Sequence, residues 1–149
     1  MALVVRRIRP GDERVAILLE GLLDEGMHWD TEQGRHFLAD SATNALFLAE
    51  VDEMGIGFAT ANRLQRFDTR RAEVLLYEIA VRDEYQRQGI GRALVAQVLD
   101  WAREVGADEV WVLADSDNAR ACAFYAATGG EQFTPNSTMF TYRIAETRG

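Results

Sequence analysis

Apolar side chains recur at Leu94, Val98, Trp101, Ala102 and Val105, a helical spacing that predicts a long amphipathic helix from residue 89 to residue 105, stopped by Gly106. Immediately before it, Val74-Leu75-Leu76-Tyr77-Glu78-Ile79-Ala80-Val81 is nearly all apolar. That run predicts a strand over residues 73–81, buried on both faces of a sheet and interrupted only by Glu78. A short apolar run at residues 110–114 predicts the next strand. Strand, glycine-containing loop, helix and strand in this order require a right-handed parallel crossover.

The flanks follow the same logic. Residues 3–8 read as a strand, and beyond the turn at Pro10-Gly11, Asp12 is a plausible cap for a helix with Val15, Leu18, Leu19 and Leu22 on its apolar side. Gly21 and Gly26 weaken and end that helix. Residues 24–34 read as loop and helix start, followed by a short helix carrying Phe37 and Leu38. The β-rich runs 45–51 and 56–64 are joined by Asp52-Glu53-Met54-Gly55, which predicts a hairpin. Residues 118–127 form a helix carrying Ala121, Phe124 and Tyr125, stopped at Thr128-Gly129-Gly130, and strands at 132–133 and 138–144 complete the list. The outcome is one α/β domain over residues 1–149, a mixed sheet of about seven strands with four helices.

Composition narrows the chemistry. A chain of 149 residues is the size of one ordinary domain. With no run of eighteen apolar residues and no secretory pattern at residues 1–10, a cytoplasmic, membrane-free protein is expected. The single Cys122 allows no internal disulfide and reads as a small buried residue, and with only His28 and His36 beside it no zinc spacing exists, so no metal is expected. All sixteen basic residues are arginines and the formal charge is −8, which disfavours nucleic acid as a partner and suits either a small cationic amine or solubility alone. Arg63, Arg66, Arg70 and Arg71 read as a solvated hairpin end rather than an RNA patch.

Between the buried strand and the long helix lies Gln86-Arg87-Gln88-Gly89-Ile90-Gly91-Arg92. A helix start offers unpaired N–H groups and a partial positive charge, and glycines let a diphosphate approach the backbone. The loop lacks the Gly-Lys-Ser/Thr of an ATP-binding loop, and Leu94 stands where a dinucleotide fingerprint has its third glycine. Neither ATP nor NAD is indicated.

Gln86-Arg87-Gln88-Gly89-Ile90-Gly91 resembles the Gln/Arg-x-x-Gly-x-Gly/Ala loop of the GNAT superfamily of N-acetyltransferases. The resemblance implies the GNAT fold, its sheet splayed where acetyl-CoA binds as cosubstrate. It implies that Gln86, Arg87, Gln88, Gly89, Ile90, Gly91 and Arg92 hold the CoA pyrophosphate. Backbone groups of Ile79, Ala80 and Val81 would take the pantetheine arm as an added pseudo-strand. Asn118 and Ala121 match positions beside the pantetheine, and Tyr125 matches a tyrosine near the departing sulfur. Domains of this type commonly form homodimers.

Amine acetylation needs a base, because a substrate arriving as ammonium must lose a proton before it attacks the thioester. Glu78 fits, since a carboxylate in an apolar strand is expensive to bury unless it is paired or faces a cleft. Its competing reading is a salt-bridged structural carboxylate. Tyr125 is the matching acid, with a core aromatic as its competing reading. Backbone N–H groups near Ala80 and Val81 would polarise the acetyl carbonyl, and transfer would be direct.

Residues 75–97, with Ala114-Asp115 and residues 121–125, look like the aminoglycoside 3-N-acetyltransferase branch, which often carries aspartate where this chain has Glu78. The resemblance implies acetylation of an aminoglycoside, at the 3-amino group, conferring resistance. Carboxylates for a polycationic sugar would come from Asp24, Glu25, Asp30, Asp115 and Asp117, each otherwise a solvated charge or helix cap, and Trp29 either walls the acceptor pocket or belongs to the core. The alternatives are a polyamine, amino acid or protein amine as acceptor, or a non-catalytic acyl-CoA-binding sensor module.

Overall fold

Burial on both faces, expected of residues 73–81, belongs instead to the strand at Asn44–Val51, where every residue from Ala45 onward is buried. The computed structural model of the chain describes residues 2–12, 14–23 and 27–144. The chain divides into two compact units, Met1–Ala114 and Asp115–Gly149.

In the first unit, strands β1 (Leu3–Arg7), β2 (Asn44–Val51), β3 (Met54–Gln65), β4 (Ala72–Val81) and β5 (Ala107–Trp111) form one sheet in the order β1-β2-β3-β4-β5. The first three pairings are antiparallel and β4–β5 is parallel, joined through helix α3 (Ile90–Glu104). Helices α1 (Val15–Leu19) and α2 (Thr31–Ala39) lie between β1 and β2 in sequence. The hairpin between β2 and β3 turns on Asp52 and Glu53, both at positive φ (50° and 66°), as a two-residue type I′ turn requires.

Helices cover both sides of the sheet, which explains the double burial of β2. On one side Leu46, Leu48 and Phe58 pack with Val15, Leu18 and Leu19 of α1 and Leu38 of α2. On the other, Phe47 meets Trp101 of α3 edge-on, with ring centroids 6.5 Å apart. Strand β4 is more open: Ala72, Val74 and Leu76 are buried, whereas Tyr77 is 66% exposed. An apolar run alone cannot tell a strand covered twice from one covered on a single side.

A carboxylate network closes the β1 side. Glu50, buried in β2, accepts from Arg6 Nε at 3.2 Å and from Arg14 Nη2 at 2.7 Å, and Arg6 also pairs with Asp12 at 2.9 Å. Asp12, expected as the helix cap, is not the N-cap: that position belongs to Arg14, without a side-chain cap, and the Asp12 Oδ1 accepts from Arg14 N in the turn ahead of α1.

The second unit contains helix α4 (Ala119–Ala127), capped by Asn118, whose side chain accepts from Ala121 N. The described sheet has five strands rather than about seven: residues 132–133 and 138–144 form no strand and are exposed. Alternation along 138–144 defines two faces but supplies no partner for the backbone groups, and a ladder needs both. The strand expected at residues 110–114 runs instead over Ala107–Trp111. Cys122, expected buried, is exposed, with its Sγ 3.6 Å from the Asp115 carbonyl oxygen.

Candidate functional site

A register shift in the β3–β4 ladder aims Glu78. Thr60 opposes Glu78, but the next residue, Ala61, opposes Leu76, so Tyr77 is an extra residue on β4. Directly opposed residues share a face, and Thr60 and Ala61 point to opposite faces. Glu78 therefore leaves the side occupied by Leu76 and joins that of Thr60 and Phe58, the side packed by α1 and α2. Without the bulge it would share a face with fully buried Val74. Thr60 Oγ1 donates to Glu78 Oε1 at 3.1 Å, and Glu78 is half-buried.

Beyond Leu75 the two parallel strands part. The β4–β5 register ends at Leu75 opposite Trp111, while β4 continues along β3 to Val81 opposite Gly57. Residues 76–81 thus carry no strand on their β5 side among the described residues, the geometry expected of a sheet edge that receives an extended ligand. Ile79, Ala80 and Val81, predicted to serve the pantetheine arm, all lie on this stretch.

The loop that follows ends at a helix start built for an anion. After the 3₁₀ turn Asp83–Tyr85, Arg87 and Gly89 adopt positive φ (62° and 82°), and Gly89 occupies the N-cap position of α3 with no side-chain cap. The first α3 bond runs from Ala93 N to Gly89 O at 3.0 Å, which leaves the N–H groups of Ile90 and Gly91 outside the intrahelical ladder. A Cβ at Gly89 would meet nothing within 4 Å, so the glycine serves the backbone angle and leaves the approach open. Ile90 is buried, so only its backbone is available to a ligand at this helix start.

Side chains brace the loop. Gln86 Nε2 donates to Val81 O and Asp83 Oδ1, both at 3.1 Å, and Gln88 Nε2 donates to Glu84 O at 3.3 Å. Arg87 and Arg92 are exposed. The open β4 edge and the α3 start together fit an extended thiol ester carrying a diphosphate, and no three His, Cys, Asp or Glu side chains among the described residues are grouped to hold a metal.

An open cavity of about 260 Å³ lies where α1 ends and β4 ends, lined by Gly21, Leu22, Ala80, Val81, Arg82, Asp83 and Glu84. Glu78 does not line it. The volume is below that of drug-sized ligand sites, about 300–1,000 Å³.

Other predicted acceptor residues have structural duties. Asp30 caps α2, its Oδ1 accepting from Gln33 N at 2.9 Å. Trp29 packs against the core and lies over Gly34, where a Cβ would collide with its ring. Asp24 and Glu25 fall outside the described residues, as does Gly26. In the second unit Asp115 and Asp117 are exposed, and burial raises the Tyr125 phenol above its ordinary value, with Cys122 adding to the shift. Of the hairpin arginines, Arg66, Arg70 and Arg71 are exposed as expected, Arg66 pairing with Asp68 at 2.9 Å, whereas Arg63 is half-buried and its Nε donates to Val105 O.

Two residues not singled out in the sequence belong to the site. Thr60 is found only through the ladder register. Arg82 has a positional signal, being the first residue past a strand that ends at a ligand loop.

The sequence pattern described as the acetyltransferase (GNAT) family matches residues 15–129. Over 62 residues the chain is 39% identical to the [ribosomal protein bS18]-alanine N-acetyltransferase of Escherichia coli (strain K12), a stretch covering 42% of each protein. The matched stretch therefore spans well under half the length of that relative. Among solved structures, an aminoglycoside acetyltransferase from an uncultured soil metagenomic sample, in complex with sisomicin, superposes with a TM-score of 0.84 at 24% identity, covering 96% of this chain and 97% of that one. The aminoglycoside acetyltransferase AAC(6')-Iy, in complex with a bisubstrate analogue built on CoA, gives a TM-score of 0.78 at 22% identity, covering 97% and 99%. Such identities establish a shared fold. From the match over residues 15–129, together with this fold, the chain belongs to the acetyltransferase (GNAT) family.

Proposed function

We propose that the protein transfers the acetyl group of acetyl-CoA to an amine of a small polycationic acceptor, an aminoglycoside in the first instance. The observation that carries this reading is the parting of β4 from β5 after Leu75, beside an α3 start that presents free N–H groups. Acetyl-CoA is the acyl donor. Backbone N–H groups of Ile90 and Gly91 meet the diphosphate, and residues 76–81 supply the peptide groups for the pantetheine arm.

Glu78 takes the proton from the acceptor ammonium, directly or through water, while Thr60 holds the carboxylate in place. The freed nitrogen attacks the acetyl carbon, the C–S bond breaks, and the nitrogen loses its second proton to water as the amide forms, which offsets the proton taken up by the thiolate. The Val81 N–H, on the open side of β4, polarises the carbonyl oxygen, whereas the Ala80 N–H, like that of Arg82, faces β3. The departing thiolate takes up a proton, and Tyr125, its phenol raised by burial, is the acid that the family resemblance implies for that step. The net acidic charge favours a cationic acceptor, and the aminoglycoside enzymes among the solved structures support that class. Acting on such antibiotics in the cytoplasm, the enzyme would confer resistance.

A second reading, acetylation of a protein's amino-terminal alanine, is favoured by the 39% identity to the bS18-alanine enzyme. The deciding experiment measures release of CoA thiol with gentamicin-type and kanamycin-type aminoglycosides, spermidine, and a peptide beginning with alanine. Turnover with aminoglycosides alone supports the first reading, and two-dimensional NMR of the product separates the 3-amino group from the 6'-amino group. Turnover with the peptide alone supports the second. Silence across the panel with acetyl-CoA bound would point to an acceptor outside the panel or to a non-catalytic acyl-CoA sensor. Because the chain contains no lysine, side-chain self-acetylation on lysine cannot contribute to the signal.

A further inference from the structure

Arg82 joins three segments that the sequence keeps far apart. Its backbone N donates to Ile56 O at 2.8 Å, its Nε to Gly55 O at 2.7 Å, and its Nη2 to Glu20 O at 2.6 Å. Glu20 is the C-cap of α1, so its carbonyl belongs to the set that a helix end leaves without an intrahelical donor. A cation there also opposes the negative end of the helix. Helix α1 has five residues, too few to hold itself by its own ladder.

The neighbours are shaped around this contact. A Cβ at Gly55 would collide with the Leu18 carbonyl, so the β2–β3 hairpin lies directly against the α1 backbone. Gly21 turns the chain at φ 76°, and a Cβ there would sit 3.0 Å from Arg82 Nη1. Gly21 and Leu22 form one wall of the 260 Å³ cavity and residues 80–84 form the other. A single guanidinium thus fixes one wall against the other, and the chain leaving Gly21 leads on to Trp29 and Asp30.

We propose that Arg82 is a positioning residue for the acceptor: it tethers the segment after α1 to the end of β4 and so sets the acceptor amine against the acyl donor. This rests on the reading that the chain acetylates an amine. Arginine suits the task because its planar fork offers donors in fixed directions to two carbonyls at once, whereas a lysine ammonium is a compact charge without that fork.

The test compares wild type with Arg82→Lys. The expected result is a fall of about 10–100-fold in kcat/KM for the amine, while the Kd for acetyl-CoA stays within about twofold. Hydrogen exchange at residues 20–23 should quicken in the variant, a readout that needs no turnover. Should Arg82→Lys fold poorly, Arg82→Ala supplemented with guanidinium ion is used, and recovery of the amine KM is expected. Wild-type exchange at residues 20–23 in a folded variant, or parallel losses toward amine and acetyl-CoA, would overturn the proposal. A wild-type protein that turns over no amine would overturn the functional reading instead, and the exchange measurement would still decide the tether.

Discussion

Thr60 donates a hydrogen bond to Glu78 across the β3–β4 ladder at the one place where the ladder shifts register. The extra residue Tyr77 brings the two side chains onto one face, so a backbone irregularity and a side-chain contact serve the same carboxylate. Glu78→Gln is expected to retain acetyl-CoA affinity while lowering turnover at neutral pH by about 10²–10⁴, the range for lost general-base catalysis. Thr60→Val should lower turnover about tenfold by releasing a charge-assisted hydrogen bond, and Thr60→Ser should restore it. Steady-state kinetics beside calorimetric titration of acetyl-CoA decide both.

Gly89 makes a prediction of a different kind. Because open space surrounds its Cα, any effect of Gly89→Ala comes from the φ of 82° rather than from a clash. A left-handed L-residue costs roughly 1–2 kcal/mol, and relief of that strain would turn the α3 start away from its diphosphate-facing geometry. Acetyl-CoA should bind more weakly to Gly89→Ala than to wild type, with Gly89→Asn intermediate because asparagine tolerates that region. Equal affinity in all three would remove the loop from the binding site.

Acid sensitivity should concentrate at the β1–α1 junction. Burial tends to raise the Asp12 carboxyl, but the Arg14 N–H and the Arg6 guanidinium outweigh it and hold the group below its ordinary 3.8. A carboxyl lowered in the folded state stabilises above its unfolded value, and that contribution disappears as pH falls through the folded one. Thermal melting of wild type and Asp12→Asn should therefore differ at pH 7 and converge well below pH 4. Glu50→Gln should cost about 1–3 kcal/mol, since Arg6 and Arg14 would then lose their shared carboxylate.

Glu109 faces Glu73 across the parallel β4–β5 register, and the hydrogen bond between the two carboxyls raises Glu109, with burial and like charge adding to it. A carboxyl raised in the folded state stabilises below its unfolded value and loses that contribution as pH rises through the folded one. Glu109→Gln should accordingly raise the melting temperature at pH 7 and leave it nearly unchanged at pH 4. A variant that melts lower at pH 7 would show that the pair is not repulsive.

Local pattern carried the fold as far as it is local. The spacing of Leu94, Val98 and Trp101 located α3, and Asp52-Glu53-Met54-Gly55 located the hairpin, although Met54 and Gly55 belong to β3 and only Asp52 and Glu53 form the turn. Sheet membership was less legible: residues 138–144 alternate as a strand would, yet pairing depends on backbone partners elsewhere in the chain. The glycine loop was readable because its shape rests on a backbone angle that glycine permits, at Gly89. The Thr60–Glu78 contact was not, since a one-residue register shift decides which face Glu78 occupies and no local signal announces the shift. Asp30 and Asn118 show the converse, residues suited by type to a ligand that are also natural helix caps.

The parting of β4 and β5 has a consequence for handling the protein. A strand edge without a neighbour is a template on which a strand of another molecule can nucleate, and the exposed Tyr77 ring adds an apolar anchor beside it. Concentrated ligand-free samples are therefore the ones expected to self-associate on storage, and acetyl-CoA in the buffer should act as a solubilising additive before it acts as a reagent.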